Sequence, residues 1–158
     1  FEEMKEAAAV ILTAEGYFHH GALMDNPDSL VDENVRPRFK AGADISSAQY
    51  VGALLQRDSD RENFSLAMQG IDALATPTTP MLPTPLTETD ELSTPARFTR
   101  AINYLSMCGT SVPSGISNGG LPTSLQIACA GGNEATCLQI SAAYERGRGA
   151  LPAPPLFT

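Results

Sequence analysis

The sequence predicts an α/β fold, on three observations. Segments with apolar residues three and four apart alternate with short apolar runs; those runs are cut off by Pro or Gly; and the first two are separated by a long connection. Residues 2–18 read as a helix with an acidic first turn, which suits the helix dipole, and an Ala-rich middle that favours close packing. "GALMDNPDS" reads as a loop, and residues 30–40 as a short helix interrupted by Pro37. Ser46 and Gln49 form a capping-box pattern, so a long helix is expected to start there. Tyr50, Leu54 and Leu55 give it an apolar face, and Phe64, Met68 and Ile71 resume that stripe, which reads as core packing.

Residues 72–76 suit a buried strand that Pro77 stops. Pro77, Pro80, Pro83 and Pro85 then make a stiff, extended connector. Order is expected to restart at "STP", with Thr94 as cap and Pro95 at the first helical position, and Phe98, Ile102 and Leu105 keep helical spacing up to Gly109 as terminator. "TSVPSG" reads as a second strand and "ISNGGLP" as a turn, while Leu125, Ile127 and Cys129 give the inward face of a third strand. Asn133 is placed as the cap of a last helix that runs to about Glu145 and is ended by Gly147, before a Pro-rich tail. The three strands are expected to share one sheet, with the helices from Ser46, Pro95 and Asn133 packed on it. The chain divides into a helical segment over about 1–71, a sheet-contributing segment over about 72–146 and the tail 147–158, together one unit.

At 158 residues, 42% of them hydrophobic, the chain is long enough for one domain with a real core. Its charge of -8 is uneven: 16 acidic and 6 basic residues lie up to Glu91, but 2 acidic and 4 basic after it. No basic patch interleaved with aromatics is present, so nucleic acid is not an expected partner. No apolar run approaches the roughly 18 to 20 residues that span a bilayer, so no membrane partner is expected either. Cys108, Cys129 and Cys137 are an odd set without C-x-x-C spacing, which favours reduced, buried thiols over disulfides or zinc. A cytoplasmic protein is the expectation. The chain opens on Phe1, within what already reads as a helix, so further residues are expected upstream.

Acyl transfer needs a nucleophile, a base for its proton and donors for the oxyanion. Ser111 and Ser114 stand in a suggestive Gly- and Pro-containing setting, yet "GTSVPSG" is not a G-x-S-x-G elbow. Small polar residues at strand ends are more often structural. His19 and His20 are helix neighbours about 100° apart, which does not make a metal pair. Lys5 and Lys40 lie in surface-like charged settings. No complete hydrolytic set is legible in these residues, and no metal site.

Several ordered segments resemble one family. "DALATPTTP", then Phe98-Thr99 with Asn103, "SVPSG", "GLPTSLQI" and "EATCLQISAAYE" resemble the C-terminal part of the amidase signature family, and "AEGYFHH", "VRPRFKAG" and "ISSAQYVGAL" resemble its preceding helical segment. The resemblance covers nearly the whole chain. It implies the C-terminal portion of that fold, a mixed β-sheet covered by α-helices, in a cofactor-independent enzyme that hydrolyses carboxamide C–N bonds with a Ser nucleophile, a second Ser in a cis peptide and a Lys. In the family that triad lies upstream of the matched region, so no catalytic residue is expected here. Thr78, Thr79, Thr99, Ile102, Asn103, Ser106, Met107 and Cys108 would instead wall the pocket for a small amide substrate, and the other expected partners are the missing N-terminal catalytic portion and a second copy, as a homo-oligomer.

The departures from the family pattern are specific. Ser106, Cys108 and Gly109 stand where Gly, Pro and Ala are usual, and Ser124 where a second Gly is common. The first adds a side chain near the expected reaction centre; the second leaves a softer, oxidisable wall. Two other functions compete: the glutaminase subunit of a tRNA-dependent amidotransferase, and a non-catalytic structural or interaction module. The glutaminase reading implies an Asp seven residues before the Asn to hold the glutamine amine, and Ala96 occupies that position. A buried ammonium without a carboxylate is costly.

Overall fold

The computed structural model describes residues 2–90 and 95–153. Five helices and three strands are found among them, with single 3-10 turns at Ala41–Asp44 and Leu86–Glu88. The helices are α1 (Lys5–Asp25), α2 (Arg36–Lys40), α3 (Ser47–Ala67), α4 (Arg97–Tyr104) and α5 (Glu134–Arg148); the strands are β1 (Leu74–Pro77), β2 (Cys108–Ile116) and β3 (Pro122–Cys129).

Helix α1 runs past the expected end at residue 18 and takes in "GALMD", where a loop was expected. Two features extend it. Gly21 and Met24 are buried, and the Arg36 guanidinium donates to the carbonyls of Met24, Asn26 and Ser29 at 2.8–3.0 Å, satisfying acceptors that a helix end leaves open. Pro37 lies in the first turn of α2, where its missing N–H costs nothing, so it opens that helix and does not interrupt it. The two helices approach closely because Gly16 has no side chain: a Cβ there would run into the Phe39 ring.

Helix α3 starts as the capping box requires. Ser46 Oγ accepts from the Gln49 N–H at 3.2 Å, and Gln49 Oε1 accepts from the Ser46 N–H at 2.9 Å. The helix stops at Ala67, before Ile71, and Leu55 is 66% exposed, outside the buried face. That face joins Ala53 to Ala8 and Ile11 of α1 and to Tyr104 and Leu105, with Tyr50, Leu54, Phe64 and Met107 packed around them. The Tyr104 hydroxyl also donates to Asp60 at 2.8 Å; burial, and then this bond, hold its pKa well above the usual phenol value. Thus α3, expected on the sheet, packs on α1 and the end of α4.

The described strands form one antiparallel sheet in the order β1-β3-β2. Pro95 precedes α4 by two positions and Ala96 is its N-cap, without a side-chain cap bond; Thr94 lies outside the described residues. The helix ends at Tyr104 because Ser106 turns into the left-handed region (φ 55), so Ser106, and not Gly109, terminates it; Gly109 is already in β2. Along β3, Leu125, Ile127 and Cys129 face α5, as their alternation predicts, and make a core with Val112, Cys137, Ile140 and Tyr144. Ile127 is 2% exposed and Cys129 is fully buried, and burial of an aliphatic side chain is worth about 1.5–3 kcal/mol. Asn133 is the N-cap of α5 but its side chain makes no cap bond, and the helix passes through Gly147 to end at Gly149 (φ 80).

Candidate functional site

The residues expected to wall a pocket fall into two groups, one at the strand ends around Thr78 and one around the turn between α4 and β2. Side chains alternate along a strand. Cys108, Thr110 and Val112 of β2 therefore point toward α5, whereas Ser111 points away from it, beside its register partner Gln126, which itself pairs with Thr76 of β1. The Gln126 amide donates to Thr76 Oγ1 at 3.2 Å. After Pro77 the pairing with β3 continues, Thr78 N–H donating to the Ser124 carbonyl at 3.2 Å, and Thr78 Oγ1 lies 2.8 Å from Ser111 Oγ although β3 separates β1 from β2. Thr79 Oγ1 donates to the Met81 carbonyl at 2.9 Å and lines a groove of about 360 Å³ with Pro77, Pro80, Leu82 and Ser124.

The second group is the turn between α4 and β2. Ser106 and Met107 line a depression of about 480 Å³ together with Phe64, Met68, Asp72 and Asn133. The turn is pinned at Gly131, where a Cβ would collide with the Ser106 carbonyl. Met107 N–H donates to the Ile102 carbonyl at 2.9 Å and Ser106 N–H to the Asn103 carbonyl at 3.0 Å. Thr99 Oγ1 is turned back on the Ala96 carbonyl at 3.4 Å, Asn103 is exposed, and Ile102 is 6% exposed, with its Cγ2 beside Gly109.

Cys108 is half-buried, and its thiol donates to the carbonyls of Ala130 (3.4 Å) and Cys129 (3.6 Å). It lies on the α5 face, three residues and about 10 Å along β2 from Ser111. All three cysteines are free. The Cys129 thiol is pushed up to about 11, first by burial and then by the neighbouring Cys137, whose own thiol donates to the Ile127 carbonyl at 3.2 Å. Cys129 and Cys137 are buried, structural sulfurs.

Among the described residues neither candidate serine is paired with a base. Ser111 is paired with Thr78, and Ser114 with Thr123 at 2.9 Å. His19 and His20 sit on exposed turns of α1 with their rings 6.3 Å apart, His20 against Phe39. Among the described residues no group of three or more His, Cys, Asp or Glu is placed to hold a metal ion, and no helix is long and apolar enough to cross a membrane. Gln126 lies outside the residues that the sequence marks for the site, and the sequence presents Ser111 as a nucleophile candidate, not as a partner of Thr78. The signal was present: with Leu125, Ile127 and Cys129 facing inward, Ser124 and Gln126 must face the other way.

A family model described as Amidase matches residues 5–138. The chain is 30% identical over 174 residues to a glutamyl-tRNA(Gln) amidotransferase subunit of Methylacidiphilum infernorum (isolate V4), a match covering 96% of this chain and 35% of that protein. It is 40% identical over 111 residues to the corresponding subunit of Mycobacteroides abscessus, covering 67% of this chain and 22% of that one. A crystal structure of an amidase superposes with a TM-score of 0.76 at 23% identity, over 92% of this chain and 36% of that one, which shows a shared fold. The chain spans about a third or less of the length of these proteins.

Proposed function

Because this chain belongs to the amidase family, we propose that it forms one wall of the substrate pocket of an enzyme that hydrolyses carboxamide C–N bonds, facing a Ser-cisSer-Lys set contributed by residues N-terminal to it. The observation that carries this reading is the open, polar strand-end face: Thr78 and Ser111 present hydroxyls there, while the chain's own His and Lys residues lie on α1 and α2. Such a face can bind and orient an amide but cannot activate a nucleophile. In the second group, Thr99, Asn103, Ser106 and Met107 would set the shape of the pocket, and Ile102 would support them from beneath.

A glutaminase-type amidotransferase component is the second reading, favoured by the names of the curated relatives. Against it stands Ala96, flanked by Arg97 and with Arg100 one turn on. A glutamine ammonium placed there would meet Arg97 and Arg100, and the Glu2 carboxylate beside them is already paired with Arg97 at 3.6 Å, which is unfavourable.

The two readings separate in one experiment on the full-length protein: ammonia release from glutamine is compared with hydrolysis of small and aryl carboxamides. The amidase reading expects turnover of the carboxamides with glutamine a poor substrate, and efficient glutamine turnover refutes it. Thr99→Val and Ser106→Ala are expected to shift kcat/KM between amides of different size with little change in Tm. Equal losses on every substrate, tracking a fall in Tm, would assign these residues to the fold alone.

A further inference from the structure

Resting on the amidase reading, we propose that the Thr78–Ser111 hydroxyl pair accepts the N–H of the bound carboxamide and so selects amides over isosteric esters. The two residues are 33 positions apart, Thr78 directly after β1 and Ser111 on β2, strands that share no ladder, yet their oxygens lie at 2.8 Å. Each hydroxyl has one proton and two lone pairs. The bond between them uses one proton and one lone pair, so the pair keeps one O–H donor and several lone pairs. Ser111 is exposed and Thr78 half-buried, on the face that α5 does not cover, so these valences are open.

Below the pair, Gln126 is 5% exposed, sits opposite Ser111 in the ladder and is tied to Thr76 through its Nε2. Its Oε1 has no hydrogen-bond partner among the described residues. A buried amide held in this way gives the two hydroxyls a fixed base and limits their rearrangement. Beside its one free O–H, the surface therefore offers more acceptors than donors. A carboxamide supplies an N–H; an ester of the same acid does not. A site that hydrogen-bonds a substrate N–H discriminates against the analogue without it, because the acceptors are then left unpaired. Thr78 and Ser111 act here as specificity-determining residues, and no covalent step is assigned to them.

The test measures kcat/KM for a matched anilide and phenyl ester of one carboxylic acid in the full-length protein and in Ser111→Ala, Thr78→Val and Thr78→Ser. The expected result is a fall of about 3- to 10-fold on the anilide in Ser111→Ala and in Thr78→Val, with the ester within about two-fold and Thr78→Ser close to wild type. Wild-type protein that turns over neither substrate would remove the amidase reading and this inference with it. An active wild type whose anilide-to-ester ratio is unchanged by either variant would overturn this inference alone. A large loss of Tm in Ser111→Ala and Thr78→Val would likewise overturn it, by assigning the pair to the stitching of β1 to β2.

Discussion

Replacing Ser106 by Gly should stabilise the protein, and the reason is conformational. Ser106 is the one described non-glycine residue with positive φ (55°), a conformation that costs an L-residue roughly 1–2 kcal/mol. Its hydroxyl makes no hydrogen bond to a described residue, so nothing is lost with the side chain. The gain is offset by the greater freedom of Gly in the unfolded chain, about 0.4–1 kcal/mol. The balance is a net stabilisation of up to about 1.5 kcal/mol, centred near 0.5–1. For a chain of this size about 1 kcal/mol moves Tm by roughly 2–4 °C. Urea or thermal unfolding should give the stability order Gly, then Ser and Ala together, then Val, since Ala keeps the Cβ and Val adds a branch that fits a left-handed turn worst. A Ser106→Gly variant less stable than wild type, or a Val variant equal to Ala, would show that the turn is not under this strain. The resemblance places a Gly at this position in the family pattern, and the φ value supplies a physical reason for it.

Four further outcomes follow from the capping and packing. Ser46→Ala should cost about 1 kcal/mol in urea unfolding, because it removes the acceptor for the Gln49 N–H; a cost below about 0.3 kcal/mol would mean the box is not formed in solution. Native protein should react with a thiol reagent at Cys108 alone and at all three cysteines in urea, and two or more fast thiols before unfolding would contradict the burial of Cys129 and Cys137. Because the folded Cys129 value, about 11, lies above its ordinary 9.0, its contribution to stability is full below about pH 9 and is lost as pH rises toward 11; a Cys129→Ala variant should lack that decline. Ile102→Ala should cost about 2–4 kcal/mol for a side chain this buried, and adding Gly109→Ala should recover part of it, since the new Cβ would lie 3.4 Å from the Ile102 Cγ2 position; additive losses would place Ile102 in an open pocket.

What was legible in the sequence is what local chemistry decides. The capping box needs only residues three apart, and it forms as written. The inward face of β3 needs only period-two alternation, and it is found at Leu125, Ile127 and Cys129. The failures share another character. The end of α1 at Asp25 is held by Arg36, eleven residues on, which satisfies its carbonyls from the far side of a loop. Gly109 is the obvious helix terminator, but the backbone reverses at Ser106, whose carbonyl packs against Gly131, a contact that no window around either residue contains. Between Gly147 and Gly149, composition gives no preference; only the second takes positive φ. The candidate site follows the same rule. Pro77, Pro80 and the strand-end serines mark where a face opens, because Pro and small polar residues end strands. That Thr78 reaches Ser111 over β3 is a property of the three-stranded order, and it is this tertiary pairing, not either motif alone, that brings the two hydroxyls together on the face we propose for amide recognition.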